Sequence, residues 1–188
     1  MGKPKIGRHV ALLRGINVGG KNKLPMKDLR EIVVGIGAKE VASYIQSGNV
    51  VFSASPTVAR RAAKAIQDVI ATRFELSIPV ITRSAEELRA VVAENPFLGE
   101  SEETSTLHVA FLGDRPLASR VASLDHDRSP PDRFVASGKE IYLCFPNGTA
   151  KSKLTNAYFD ARLQTVSSVR NWRTVLKLVE MLGAEAKP

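Results

Sequence analysis

At 188 residues, 44% hydrophobic and 24% charged, the chain has the composition of a globular protein with a core of its own, which excludes disordered and fibrous classes. Its single cysteine, Cys144, excludes an intramolecular disulfide, and a formal net charge of +8 favours anionic partners. The apolar run over residues 10–13 is too short for a signal core or a membrane span, so the expected setting is cytoplasmic, without a membrane partner.

In chain order, residues 8–13 read as a short apolar strand, followed by a polar, glycine-rich loop over 14–24. Pro25 suits a first helical turn, and Met26, Leu29, Ile32, Val33 and Ile36 recur at helical spacing. Gly35 and Gly37 end that helix. Residues 41–46 and 49–53 read as two strands joined through Ser47-Gly48, a hairpin signal. Ser55-Pro56 opens a second helix whose inner face is Val58, Ala62, Ile66, Val69 and Ile70. A strand over 78–82 completes β-α-β-β-α-β, the ferredoxin-like order. Ser84 and Glu87 have capping-box spacing and start a further helix.

Asn95-Pro96 and the polar residues after it mark a boundary, giving halves 1–94 and 95–188 that form one compact unit. The second half begins to repeat the first. It reads as a strand over 106–112, a short helix over 116–124, strands over 133–136 and 140–145 around Ser137-Gly138, and two helices over about 152–163 and 171–182. The expected fold is therefore α+β: a ferredoxin-like βαββαβ half followed by a second, similar half. Cys144 lies in the apolar run Ile141-Tyr142-Leu143-Cys144-Phe145 and reads as a buried thiol.

The positive charge is segregated. Residues 1–25 carry Lys3, Lys5, Arg8, Arg14, Lys21 and Lys23 and no acid. Residues 151–177 carry Lys151, Lys153, Arg162, Arg170, Arg173 and Lys177 against Asp160 alone. Such clustering attracts anions if the segments meet; otherwise each is a solvated surface. In the first segment, Arg14, Gly15, Asn17, Gly19, Gly20, Lys21, Asn22 and Lys23 are anion-binding candidates. Glycines let backbone N–H groups face a ligand, and lysines add charge. The competing reading is a plain glycine-rich turn. The spacing from Gly15 to Gly20-Lys21 matches a nucleotide-binding P-loop. However, Asn22 replaces the magnesium-binding hydroxyl, and Pro25 delays the helix.

In the second segment the candidates are Lys151, Ser152, Lys153, Arg170 and Asn171. Ser152 is the expected cap of a helix, and Lys151 and Lys153 are cations at a helix N-terminus, where an anion would relieve the dipole conflict. Arg170 stands just before the last helix, with Asn171 as its cap. Gln46, Ser47, Asn49, Asn156 and Trp172 are secondary polar candidates. The periodicity of Trp172 with Val175, Leu176 and Val179 favours the core over a base-stacking role. The loop after the first strand is expected at the opposite end of the sheet from the first hairpin. His9, His108 and His126 are isolated, no metal-ligand spacing or serine-nucleophile elbow occurs, and no cofactor is implied.

Residues Ala11-Leu12-Leu13-Arg14-Gly15-Ile16-Asn17-Val18-Gly19-Gly20-Lys21-Asn22 and Tyr44-Ile45-Gln46-Ser47-Gly48-Asn49-Val50-Val51-Phe52 resemble the opening motifs of the domain-of-unknown-function 1697 family of bacterial proteins. Asn95-Pro96-Phe97, Leu107-His108-Val109-Ala110-Phe111-Leu112, Lys151-Ser152-Lys153-Leu154-Thr155-Asn156 and Arg170-Asn171-Trp172-Arg173-Thr174-Val175 resemble its later ones. The resemblance spans about residues 8–182 and implies two ferredoxin-like halves. It implies no activity, substrate or cofactor.

Three functions compete. The first is binding of a phosphate-bearing partner, either nucleic acid or a phosphorylated small molecule, with Lys21→Ala and Arg170→Ala weakening binding without unfolding. The second is an enzyme acting on a small anion clamped by Arg14, Lys21, Lys153 and Arg170, for which no general base is evident. The third is an interaction protein using an exposed sheet, with self-association as a homo-oligomer left open.

Overall fold

The structure is a computed structural model and describes residues 6–99 and 103–183. Lys3, Lys5 and part of the expected boundary stretch lie outside the described residues. The chain divides into two compact units. The first runs to Arg89 and resumes at Leu178; the second is Ala90–Lys177.

In the first unit the elements are β1 (Gly7–Leu13), α1 (Met26–Gly35), β2 (Lys39–Tyr44), β3 (Asn49–Ala54), α2 (Pro56–Phe74) and β4 (Val80–Ser84), after which α3 (Ala85–Ala93) begins. The sheet is antiparallel with order β2-β3-β1-β4, the ferredoxin-like arrangement. Ser55 caps α2 by accepting from Val58 N, with Pro56 at its start. Ser84 and Glu87 form the expected capping box: Ser84 N donates to Glu87 Oε2 at 2.7 Å, and Glu87 N donates to Ser84 Oγ at 3.1 Å. Ala11, Leu13, Val50, Phe52 and Val80 pack on Ile32 and Val33 of α1 and Ile66 and Ile70 of α2. Val10, Leu12 and Val51 are buried too. Successive strand residues alternate sides, so both faces of this sheet are shielded, which explains the unbroken apolar run of β1.

The second unit contains β5 (Leu107–Leu112), α4 (Ala118–Ala122), β6 (Arg133–Ser137), β7 (Glu140–Cys144), α5 (Asn156–Leu163) and β8 (Ser167–Asn171), then the start of α6 (Trp172–Gly183). Its sheet order, β6-β7-β5-β8, repeats the first. The core is formed by Ala110, Leu112, Ile141 and Leu143 against Phe134, Tyr158, Phe159 and Leu163. Cys144 is a buried free thiol, as expected.

Two expectations require correction here. Strand β8 lies where the sequence suggested only a link between two helices. Its five residues, Ser-Ser-Val-Arg-Asn, carry one apolar side chain, and it is identified by its pairing with β5, not by composition. The helix expected from 152 begins at Asn156. Thr155 is its cap, accepting from Tyr158 N at 3.2 Å, whereas Ser152 Oγ accepts from Leu154 N within the preceding loop.

The registers expose an internal repeat. Val10 pairs with Val51 and Arg83, and Val109 pairs with Tyr142 and Arg170. His9-Val10-Ala11 is thus matched by His108-Val109-Ala110. The two histidines occupy one position: His9 stands across from Ser84, and His108 across from Asn171, each the cap residue of the following helix. His9 stacks on Phe52, and His108 meets the edge of Phe145.

Burial lowers the pKa of both imidazoles below 6.5. The opposing effects, from Glu87 and Glu86 on His9 and from the Thr106 carbonyl on His108, are smaller. The unfolded chain therefore binds more protons than the folded one in the interval below 6.5, so this part of the stability is full above 6.5 and is lost as the pH falls. We expect the urea midpoint to decline between about pH 7 and about pH 5, and the decline to be smaller in the His9→Gln/His108→Gln double variant. Identical slopes in the two proteins would remove the histidines from the acid response.

Candidate functional site

The glycine-rich loop is built from within. Ile16 and Leu24 are fully buried and anchor its two ends. Asn17 has φ 56°. Its amide Nδ2 donates to Leu24 O at 2.9 Å and Gln46 O at 3.0 Å, and its Oδ1 accepts from Leu24 N at 2.9 Å. Asn22, with φ 48°, donates from Nδ2 to Gly15 O at 2.9 Å. Asn17 N donates to Asn22 O at 3.2 Å, and Lys21 N to Val18 O at 3.1 Å, so the loop closes as a miniature hairpin. Its turn, Gly19-Gly20, has φ 58° and 75°, both in the left-handed region where glycine is favoured.

These bonds reassign several candidates. The carboxamides of Asn17 and Asn22 hold the loop and do not reach outward for a ligand. What the loop presents is its tip. Val18, Gly19, Gly20, Lys21, Asn22 and Lys23 are exposed, and the N–H groups of Gly19 and Gly20 make no hydrogen bond among the described residues. Lys21 bridges back to Val18 and α1 starts only after Pro25, a geometry incompatible with a P-loop, in which the helix follows the lysine directly.

The expectation that the first hairpin lies at the other end of the sheet is wrong. Strands β1 and β3 are antiparallel, so the end of β1 meets the start of β3: Leu13 N donates to Gly48 O at 2.8 Å, and Asn17 reaches Gln46. Arg14 N donates to Pro79 O at 3.0 Å, bringing the approach to β4 to the same end. One helix and one strand, α1 and β2, separate the loop from the hairpin in sequence. Strand β3 is antiparallel to both β1 and β2, so β1 and β2 run in the same direction and both turns fall at one end of the sheet.

The hairpin loop is four residues, 45–48, with Tyr44 paired to Asn49. Asn49 is fully buried and donates to Tyr44 O and Ser47 Oγ, which makes it a structural corner. Gln46 is exposed and Ser47 partly so. Ile45 beside them is 51% exposed, as Val18 is 63% exposed on the adjoining loop. This end of the first unit thus combines two lysines, two unbonded N–H groups, an exposed carboxamide and two aliphatic side chains.

In the second unit, Lys151 and Lys153 are exposed, and Ser152 is half-buried. Their loop is tied to the segment before β6: Lys153 N donates to Ser129 Oγ at 3.0 Å, Ser129 Oγ to Asp132 at 2.7 Å, and Arg128 Nε to Lys153 O at 3.1 Å. The Arg128 guanidinium lies 4.1 Å from the centre of the Tyr158 ring. Arg128 joins the two lysines and was missed because it lies in a segment of mixed charge, between Asp127 and Pro130, that no local spacing singles out. His126, exposed nearby, stacks flat on Phe134 at 4.4 Å.

The remaining candidates are structural. Asn156 accepts from Ser167 Oγ at 3.0 Å. Asn171 caps α6 by accepting from Thr174 N at 2.8 Å, as expected. Trp172 is buried in the core. Arg170 is 9% exposed, and its Nη1 donates to Ser168 Oγ and Val169 O, both at 2.9 Å. Burial lowers its pKa to about 10, so it stays charged at neutral pH. It is therefore a strand residue turned into the fold, not a surface cation ahead of a helix. Arg83, at the matching position of β4, donates from Nη1 to Thr82 O at 2.9 Å and is buried more deeply still. Among the described residues no cluster of metal-ligating side chains occurs, and no helix is long and apolar enough to cross a membrane.

The basic segments occupy different places in the repeat. The first follows the end of β1, whereas the second precedes α5, after β7 has run back toward the start of β5. The fold and these surfaces define an α+β protein of two ferredoxin-like repeats, each with a polar insertion of its own. The sequence profile of the family described as protein of unknown function (DUF1697) matches residues 6–142, and the chain belongs to that family. Among solved structures, the conserved bacterial protein SP0830 from Streptococcus pneumoniae superposes with a TM-score of 0.74 at 24% identity, covering 96% of this chain and all of that one. This similarity supports the shared fold alone. No curated protein matches the chain.

Proposed function

We propose that the protein binds a phosphate-bearing partner, nucleic acid or nucleotide, at the loop end of the first unit. The observation that carries this reading is the tip at Gly19-Gly20, where two unbonded N–H groups stand in solvent beside Lys21 and Lys23 on a base held by Asn17 and Asn22. N–H dipoles and ammonium groups act on an anion in the same sense, and a loop already fixed loses little conformational freedom on binding. Val18 and Ile45 offer apolar surface suited to a base or ribose. Arg128, Lys151 and Lys153 supply a separate set of cations on the second unit.

The test is fluorescence anisotropy of labelled single-stranded RNA and DNA at several salt concentrations, with thermal shift against nucleotides alongside. Binding should weaken with salt. Lys21→Ala and Lys23→Ala should each reduce the log–log salt slope by about one without changing the unfolding midpoint, because both side chains are exposed. Absence of binding by any of these ligands at low salt would overturn the reading.

A further inference from the structure

The segment before β6 displays two planar side chains on a series of buried rings. Phe134 of β6 and Phe159 of α5 meet edge to face, with centroids 5.8 Å apart, and Tyr158 lies 5.2 Å from Phe159. All three are buried. At one end of the series the His126 imidazole lies on Phe134, with centroids 4.4 Å apart and planes inclined by 8°. At the other end the Arg128 guanidinium lies 4.1 Å from the centre of the Tyr158 ring. Being two residues apart, His126 and Arg128 have Cα atoms separated by at most about 7 Å.

The segment is pinned along its length. Asp125 N donates to Tyr158 Oη at 2.9 Å, Asp127 N to Asp125 Oδ1 at 3.0 Å, and Arg128 Nε to Lys153 O at 3.1 Å. His126 is exposed and Arg128 half-buried. Among the described residues neither makes any further hydrogen bond, ion pair or ring contact. Shielding of Phe134 and Tyr158 accounts for planar groups at these positions. It does not account for the charges. Arg128, Lys151 and Lys153 form no ion pair among the described residues, although the exposed carboxylates of Asp125 and Asp127 stand in the same segment as Arg128.

We propose that the second unit binds single-stranded nucleic acid, with unpaired bases stacking on the outer faces of His126 and Arg128 and the adjoining phosphates meeting Lys151 and Lys153. The site is built from other residues than the glycine loop of the first unit and does not rest on it. An imidazole and a guanidinium already laid flat on buried rings lose little freedom when a base adds to them, and both are planar partners for a base. The charges sort the two parts of a nucleotide. The lysines attract phosphate. The carboxylates of Asp125 and Asp127 repel it and accept N–H groups from a base edge. Every unpaired base has such a donor, which pairing in a duplex consumes, so the arrangement selects single strands.

Fluorescein-labelled hexauridylate, whose bases stack weakly on one another, tests this by anisotropy with the Lys21→Ala/Lys23→Ala variant, in which the loop tip of the first unit contributes no lysine. That variant should still bind the strand, and more weakly as salt rises. In the same background at about pH 8, His126→Ala and Arg128→Lys should each lower affinity by at least about fivefold with the salt slope unchanged. Lysine keeps the charge of Arg128 and loses its plane, so a purely electrostatic contact would not respond. Lys151→Ala/Lys153→Ala should instead reduce the log–log slope by about 1.4, at about 0.7 for each single-strand phosphate. In isotope-labelled protein the His126 ring protons should move upfield during the titration, as a base lying over the imidazole requires, and this readout needs no substitution at the site. Loss of strand binding in the Lys21→Ala/Lys23→Ala background would overturn the second-unit site and leave the loop-tip reading standing. Unchanged affinity in both His126→Ala and Arg128→Lys, or unmoved His126 resonances, would overturn it too. So would equal affinity for a blunt RNA duplex, which would mean charge alone, or for uridine monophosphate, which would mean a site for one nucleotide and not a strand.

Discussion

Replacing Gly48 with alanine is expected to lower the unfolding free energy by about 2–5 kcal/mol, combining left-handed backbone strain with steric overpacking. Gly48 has φ 83°, and a methyl group there would lie 2.8 Å from Leu13 Cβ and 2.9 Å from Leu13 O. Neither neighbour can yield easily. Leu13 is fully buried, and its N–H donates to the Gly48 carbonyl at 2.8 Å. Relief by moving the hairpin would break that bond and pull Gln46 away from Asn17, loosening the glycine-rich loop. Gly19→Ala is the control. Its φ of 58° is similarly left-handed, but nothing lies within 4 Å of the added methyl, so only the backbone cost of about 1 kcal/mol remains. Urea unfolding of both variants separates the two contributions. Equal losses would show that close packing at Gly48 contributes nothing.

Arg170→Ala should cost about 3–5 kcal/mol, a loss of fold and not of surface charge. The substitution empties a buried volume the size of an arginine side chain. It also removes the donor to Ser168 Oγ and Val169 O, each of which accepts at 2.9 Å. Arg170→Met fills most of that volume and removes a buried charge, so its cost should be about 1–2 kcal/mol. Chemical unfolding of both variants decides the matter. A destabilisation by alanine no larger than that by methionine would mean that volume is unimportant at this site. An unchanged midpoint in Arg170→Ala would return Arg170 to the surface role that its position before a helix first suggested.

The repeat also shows where reading a sequence by composition fails. His9-Val10-Ala11 and His108-Val109-Ala110 are visible as text, yet three residues separated by 99 positions gain meaning only when registers place both histidines opposite a helix cap. Strand β8 has one apolar residue in five, because Ser167, Ser168 and Arg170 are buried as polar groups with partners inside the fold. Hydrophobic alternation cannot detect a strand of that kind. The same limit hid Arg128, whose place beside Lys153 depends on a hydrogen bond across 25 residues of chain.

The sequence by itself determined the α+β class, the βαββαβ order of the first half and its echo in the second, the buried states of Cys144 and Trp172, and the caps at Ser55, Ser84 and Asn171. These follow from local periodicity and from the few side chains able to satisfy the first N–H groups of a helix. Only the tertiary structure decided which polar residues face outward. Asn17, Asn22, Asn49 and Arg170 look like ligand-binding groups in a list of residues, but each satisfies main-chain carbonyls left unpaired where loops and strand ends pack together. Buried polar groups must find partners, and those partners are distant or irregular in sequence, so their assignment depends on the complete fold. The same fold leaves Lys21, Lys23 and the Gly19-Gly20 N–H groups in solvent, where an anion can reach them.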